Sequence, residues 1–101
     1  MSMERLPPKP SAVALVVESD AARRLEMATR LRRGGLEVIE AADADEAIAV
    51  LNSVVVDVLF SDIDLPGRMD GIDLVKWVRE RHFDTNIVLL HSWTDGHPFT
   101  H

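Results

Sequence analysis

The residues best suited to chemistry are the aspartates that follow an apolar stretch in the middle of the chain. Residues 54–60 are almost entirely apolar, which is typical of a strand buried on both faces of a parallel sheet. Asp62 comes where this stretch stops, and Asp64 follows two residues later. After them, Pro66-Gly67 favours a turn and Asp70-Gly71 favours a helix start. In open α/β sheets ligands bind at the carboxyl ends of the strands. We therefore interpret Asp62 as the reactive group.

Polar side chains also end two other apolar stretches. Glu18, Ser19 and Asp20 follow the first stretch, and His91 and Ser92 follow the last one. The carboxyl ends of parallel strands lie at one edge of a sheet, and a doubly wound sheet places its first strand beside its third. We therefore expect these side chains to lie near the reactive aspartate.

Two acids that converge at this edge, Glu18 and Asp62, define the chemistry. They would repel each other by about 4 kcal/mol at a separation of about 4 Å, for an effective dielectric constant of about 20. A hard divalent cation offsets this repulsion, and Mg²⁺ is usually held by one or two carboxylates with water and phosphate oxygens. An ionised aspartate beside such a cation can attack a phosphoryl group. The Ser92 hydroxyl could then donate a hydrogen bond to the attached phosphoryl oxygen.

The apolar pattern predicts alternating strands and helices that would position these groups. We predict strands at 12–17, 36–41, from 54 onwards and at 87–90, and helices at about 21–33, 43–52 and 71–81. Such alternation with short connections predicts an α/β fold, a doubly wound parallel sheet with right-handed crossovers and helices on both faces.

Spacing predicts which side chains face the core. The expected inward residues of the three helices are Leu25, Ala28 and Leu31, then Ala47, Ile48 and Leu51, then Ile72, Val75 and Val78. The second strand alternates, with Leu36 and Val38 inward and Glu37 and Glu40 outward, which predicts an edge strand.

Polar residues and glycines mark the helix ends. We expect Asp20, or Ser19, to cap the first helix and Gly34-Gly35 to end it. Residues 43–46 have the form of a capping box at the start of the second helix.

Composition narrows the class of protein. The chain has 101 residues, a formal charge of −6 and no cysteine, so we predict one domain over 12–101 after a disordered leader at 1–11. The negative charge argues against a nucleic-acid partner, and we interpret the arginines of the first helix as a solvated face. The sequence shows neither a signal peptide nor a membrane-spanning stretch, so we expect a cytoplasmic protein with no membrane partner.

The acidic strand ends carry a resemblance to a known family. LVVESD, then FSDIDLPGRMDG, then IVLLHS resemble the receiver domain of bacterial two-component response regulators, which accepts a phosphoryl group from a sensor histidine kinase. The resemblance implies a flavodoxin-like fold with strand order 2-1-3-4. It also implies that Asp62 is the phosphoacceptor, that Glu18 and the backbone carbonyl of Asp64 bind Mg²⁺, and that Ser92 is the switch hydroxyl. Such a domain signals by contact rather than by enzymatic turnover.

Two departures from the family pattern bear on these roles. Receivers usually carry a second acid directly after the first, where this chain has Ser19, which weakens the expected Mg²⁺ binding unless Asp20 substitutes. Only residues 93–101 follow Ser92, so we expect this chain to lack the usual last helix, strand and helix, together with the lysine of that strand. Lys76 lies on the third predicted helix and does not replace this lysine.

The short C-terminus also leads to a prediction about assembly. Without the family's fifth strand, the fourth strand becomes an exposed sheet edge. We therefore predict a homodimer formed through the fourth strand, the third helix and the aromatic residues Trp93 and Phe99, including by an exchange of segments.

Two other functions remain open on the sequence. Ser19 and the missing lysine favour a degenerate receiver that takes no phosphate and acts as a binding or dimerising module. The spacing of Asp62 and Asp64 also resembles the nucleophile motif of haloacid-dehalogenase-like phosphatases, although that family usually has Thr or Val where Pro66 stands.

Overall fold

The computed structural model describes residues 11–81 and 84–91. The strands are β1 (Val13–Val17), β2 (Glu37–Ala41), β3 (Val58–Asp62) and β4 (Asn86–Leu90). The helices are α1 (Ala21–Arg33), α2 (Ala44–Leu51) and α3 (Gly71–Glu80). Strands and helices alternate along the chain, as the apolar pattern predicts. Within the described residues no helix is long and apolar enough to span a bilayer.

The four strands form one parallel sheet in the order β2-β1-β3-β4, which confirms the predicted fold class and strand order. β1 is central, and its last residue, Val17, pairs with Ala41 of β2 and with Ser61 of β3. Asp62 pairs with Leu90 at the end of β4. The carboxyl ends of the strands therefore lie together at one edge.

The main apolar core lies between the sheet and the α2–α3 side. It includes the fully buried Leu15, Leu59 and Leu74. Ala28 of α1 is also fully buried but lies outside that cluster, and α1 contacts β1 and β2. Because successive side chains of a strand point to opposite faces of the sheet, α1 covers one face while α2 and α3 cover the other. The sheet therefore has helices on both faces, as predicted.

The predicted ends of α1 are confirmed. The Asp20 side chain accepts a hydrogen bond from the Arg23 N–H at 2.9 Å, which satisfies one of the free donors of the first turn. At the other end Gly35 has a φ of 95°, a left-handed conformation that favours glycine after a helix.

The two later helices begin with carboxylate caps of different form. Asp43 accepts a hydrogen bond from the Glu46 N–H at 2.9 Å, but Glu46 accepts from Ala42, one residue before the expected partner. Asp70 and Asp73 of α3 form a complete capping box. The capping prediction for α2 is therefore confirmed for Asp43, while the reciprocal bond is shifted.

The predicted inward faces of α1 and α3 are wrong at one position each. Leu25 is 56% exposed, and Ile72 is also exposed. Residues three positions apart on a helix differ by about 60° in their direction around its axis. The buried face of α1 is centred near Ala28, so Leu25 lies at the margin of that face. In α3 the buried Leu74 and Val78 define the core face, and Ile72 lies about 160° from Leu74.

The third strand is shorter than the apolar stretch suggests. β3 begins at Val58, and Val54 and Val55 precede it as exposed residues. Asp57 interrupts the stretch, and its carboxylate accepts a hydrogen bond from the Val13 N–H at 2.7 Å. Asp57 therefore ties the start of β1 to the start of β3.

The two edge strands of the sheet are β2 and β4 within the described residues. β2 is an edge, as expected, but Glu40 is only partly exposed and forms ion pairs with Arg24 at 3.4 Å and Arg32 at 3.3 Å. These contacts also show that the arginines of α1 are not simply a solvated face. β4 is the opposite edge of the sheet within the described residues, and Val88 is 37% exposed. The edge position predicted for the fourth strand is therefore found within the described residues.

Candidate functional site

Glu18 and Asp62 occupy neighbouring backbone positions at the edge of the sheet, as expected. Val17 pairs with Ser61 in the β1–β3 ladder, so Glu18 and Asp62 are the next residues of two neighbouring strands. Asp62 is the last residue of β3 and is buried, with 4% of its surface exposed. Glu18 is also largely buried, with 15% of its side chain exposed. The sheet thus brings two acidic residues to the same edge.

Hydrogen bonds set the backbone around Asp62. One oxygen of its carboxylate accepts the Asp64 N–H at 3.0 Å, and the Ser61 hydroxyl donates to the Asp62 carbonyl at 3.0 Å. The next N–H along the chain, from Ile63, donates to the Leu90 carbonyl at 2.9 Å. The turn that follows contains Gly67 with a φ of 95°, which agrees with the predicted Pro66-Gly67 turn.

Gly71 packs directly against the carboxyl end of β3. Its N–H donates to the Ile63 carbonyl at 2.8 Å. A Cβ atom at this position would overlap the Asp62 carbonyl oxygen and lie 2.8 Å from the Ile63 Cα. Only glycine allows this approach. Sequence reasoning assigned Gly71 to a helix start and missed this role, although an Asp-Gly pair so soon after the acids was the available signal.

The carboxylate of Glu18 is engaged by the start of α1. One oxygen accepts the Asp20 N–H at 3.0 Å, and the other lies 3.3 Å from Nε of Arg23. The Glu18 carbonyl accepts a hydrogen bond from the Arg24 guanidinium at 2.9 Å. Sequence reasoning placed Glu18 at this edge and missed both arginines, because an Arg-Arg pair on a charged helix resembles an ordinary solvated surface.

Ser19 and Asp20 follow Glu18 and lead into α1. Asp20 caps α1, and the hydrogen bond from the Arg23 N–H holds the pKa of its carboxylate below the ordinary value of 3.8. Ser19 is exposed and carries no charge. The capping role expected for Asp20 is therefore confirmed.

The oxygen donors at this edge fit a hard divalent cation in their chemistry. Within 11–81 and 84–91, no group of three or more His, Cys, Asp and Glu side chains could hold a metal ion. The donors available are the carboxylates of Glu18 and Asp62 and the carbonyl of Asp64, and Mg²⁺ accepts one or two carboxylates with water and phosphate oxygens. The predicted switch residue Ser92 and the aromatic residues Trp93 and Phe99 lie outside the described residues.

The chain is an α/β domain with a parallel sheet, in which a buried aspartate ends the third strand and is next in register to an acid that follows the first strand. Residues 14–98 match the model of the response regulator receiver domain family. The chain therefore belongs to the receiver domain family of response regulators.

Individual relatives agree with this assignment. The chain is 32% identical over 83 residues to the DNA-binding transcriptional regulator NtrC of Salmonella typhimurium, covering 82% of this chain and 18% of NtrC. It is similar to the chemotaxis protein CheY4 of Vibrio cholerae, with a TM-score of 0.77, 33% identity and coverage of 85% and 72% of the two chains. It is also similar to the response regulator TrrA of Thermotoga maritima in complex with Mg²⁺ and BeF, with a TM-score of 0.76, 26% identity and coverage of 82% and 71%. The chain thus spans about a fifth of NtrC.

Proposed function

We propose that this domain accepts a phosphoryl group on Asp62 from a sensor histidine kinase in the cytoplasm and passes the change on by protein contact. The observation that carries the proposal is the position of Asp62 as the last residue of β3, next in register to Glu18 of the neighbouring strand. Membership of the receiver family supports the kinase as the phosphoryl donor.

The nucleophile of the reaction is one oxygen of the Asp62 carboxylate. That oxygen attacks the phosphorus of a phosphohistidine, the O–P bond forms, the P–N bond breaks, and the leaving imidazole takes up a proton. The Asp64 N–H, which donates to Asp62 at 3.0 Å, holds the carboxylate oriented during the attack. The Ser92 hydroxyl is proposed to donate a hydrogen bond to the transferred phosphoryl group.

The residues proposed to hold Mg²⁺ are Glu18, Asp62 and the carbonyl of Asp64. When bound, the cation would neutralise charge on the phosphoryl oxygens. Ser19 supplies no carboxylate, so we expect weaker binding than a site with a second acid would give. Asp20 accepts the Arg23 N–H as a helix cap, and its use as a ligand would remove that cap.

Phosphoryl transfer also requires access to the acceptor. Asp62 is only 4% exposed, and a phosphodonor must reach one of its oxygens in line with the breaking bond.

The direct test uses a small phosphodonor. The protein is incubated with acetyl phosphate and Mg²⁺, and its intact mass is measured. We expect a gain of one phosphoryl group that is stable in acid and labile in base, and that Asp62→Asn removes. Asp64→Asn is the matched control, because it changes a nearby carboxylate but keeps the backbone N–H and carbonyl, and it should keep the phosphoryl group.

Other outcomes separate the alternatives. No mass gain in the unmodified protein would overturn the proposal and favour the degenerate receiver, a reading supported by Ser19 and by the engagement of Glu18 with Arg23. Turnover of a phosphoester would favour the phosphatase. A gain that persists in Asp62→Asn would place the acceptor elsewhere.

We also propose that two copies associate through β4 and the adjacent α3, with Trp93 and Phe99 contributing and an exchange of segments as one mode. Within the described part of the chain β4 is a sheet edge, and the exposed side of Val88 lies on it. Edge strands present unpaired backbone groups that pair readily with another chain.

A further inference from the structure

The ion pair between Glu18 and Arg23 has a consequence for the proposed metal site. Nε of Arg23 lies 3.3 Å from one Glu18 carboxylate oxygen, and the other oxygen accepts the Asp20 N–H at 3.0 Å. Each oxygen of Glu18, the acid that is next in register to Asp62, therefore has a partner at the start of α1. A cation that binds Glu18 must compete with these partners.

We propose that Arg23 is a positioning residue that competes with Mg²⁺ for Glu18, so that the Glu18–Arg23 ion pair lowers the affinity of the site for the metal. This inference rests on the proposed function, because it assumes that Glu18 is a ligand. Guanidinium and Mg²⁺ are both positive, so they repel each other when they bind to the same carboxylate. The ion pair and the metal therefore compete for Glu18.

The effect is larger in this chain than in a site with two adjacent acids. Ser19 is uncharged, so Glu18 is the only carboxylate between β1 and the Asp20 cap that can reach a metal. Any free energy that stabilises the Glu18–Arg23 pair is lost when the metal binds, and it is therefore subtracted from the metal affinity. Arg23 sets the Mg²⁺ concentration at which the site fills.

Geometry limits the size of the effect. The Arg23 side chain is 43% exposed and that of Glu18 is 15% exposed, so water and salt screen the pair only in part. We expect Arg23→Gln to tighten Mg²⁺ binding by about two- to five-fold. This factor corresponds to the free energy that a partly exposed ion pair typically contributes.

The test measures Mg²⁺ affinity directly, without phosphorylation. Mg²⁺ is titrated into the full chain and followed by the amide chemical shifts of residues 61–64, with circular dichroism as a check on folding. Arg23→Lys keeps a cation beside Glu18 and should bind with an affinity near that of the unmodified protein. Arg30→Gln removes the same charge from the same helix, where Arg30 pairs with Glu26, and should leave the affinity unchanged.

A double-mutant cycle isolates the pair. In a Glu18→Gln background the Arg23→Gln substitution should no longer change the affinity, because the shared carboxylate is gone. The proposal is overturned if Arg23→Gln does not tighten binding, if Arg30→Gln tightens it equally, or if the gain persists without Glu18. If all variants bind Mg²⁺ equally and Asp62 is still phosphorylated, this inference is wrong while the proposed function stands. Absence of Mg²⁺ binding in every variant would overturn both the inference and the metal site.

Discussion

At the scale of single residues, the candidate site depends on contacts that tolerate little change. Asp62 lies at the end of β3, and the backbone of Gly71 approaches it so closely that no side chain fits between them. Glycine is required here for space rather than for an unusual backbone conformation, because only Gly35 and Gly67 have positive φ angles among the described glycines.

Substitution of Gly71 tests this contact. Gly71→Ala should lower the free energy of unfolding by about 2–3 kcal/mol, because its Cβ overlaps the Asp62 carbonyl and the backbone must shift. Urea unfolding measures the loss, and amide shifts of residues 61–64 report the displacement. Gly67→Ala is the control, since it meets no atom within 4 Å and should cost only about 1–2 kcal/mol for its left-handed backbone. A loss in Gly71→Ala no larger than that of the control would contradict the close contact.

At the scale of helices and strands, the buried face of each helix decides which apolar side chains matter. Leu25 of α1 is largely exposed, whereas Leu74 of α3 is fully buried. The two leucines have the same chemistry and differ in their position around the helix, so they form a matched pair.

Truncation of each leucine should therefore have different effects. Leu74→Ala should lower the free energy of unfolding by about 2–5 kcal/mol, because it removes apolar contacts and leaves a cavity beside Leu15 and Leu59. Leu25→Ala should change it by less than about 0.5 kcal/mol, since the side chain is largely in water. Chemical denaturation of both variants provides the measurement. Comparable losses would show that α1 buries Leu25 in solution.

At the scale of the whole molecule, the sheet leaves β4 at an edge within the part of the chain described. The proposed homodimer uses this edge. Charged residues on an edge strand oppose pairing with another chain, so a lysine placed on β4 should disrupt the dimer without disturbing the monomer core.

Light scattering after size exclusion tests the assembly. The unmodified protein should be a dimer at micromolar concentration, and Val88→Lys should shift it towards the monomer. Val55→Lys introduces the same charge at an exposed residue that precedes β3, and this variant should stay dimeric. A monodisperse monomer for the unmodified protein would refute the proposed dimer.

The amino-acid sequence by itself determined the order of strands and helices, the parallel sheet, the caps at Asp20 and Asp43, and the place of Asp62 at a strand end. These features follow from the local spacing of apolar residues and from side chains that form hydrogen bonds with the nearby backbone. Tertiary structure decided the partner of Glu18, the close approach of Gly71 and the exposure of Leu25. Those depend on how α1 and α3 are rotated and set against the sheet, and that arrangement is fixed by packing across distant parts of the chain.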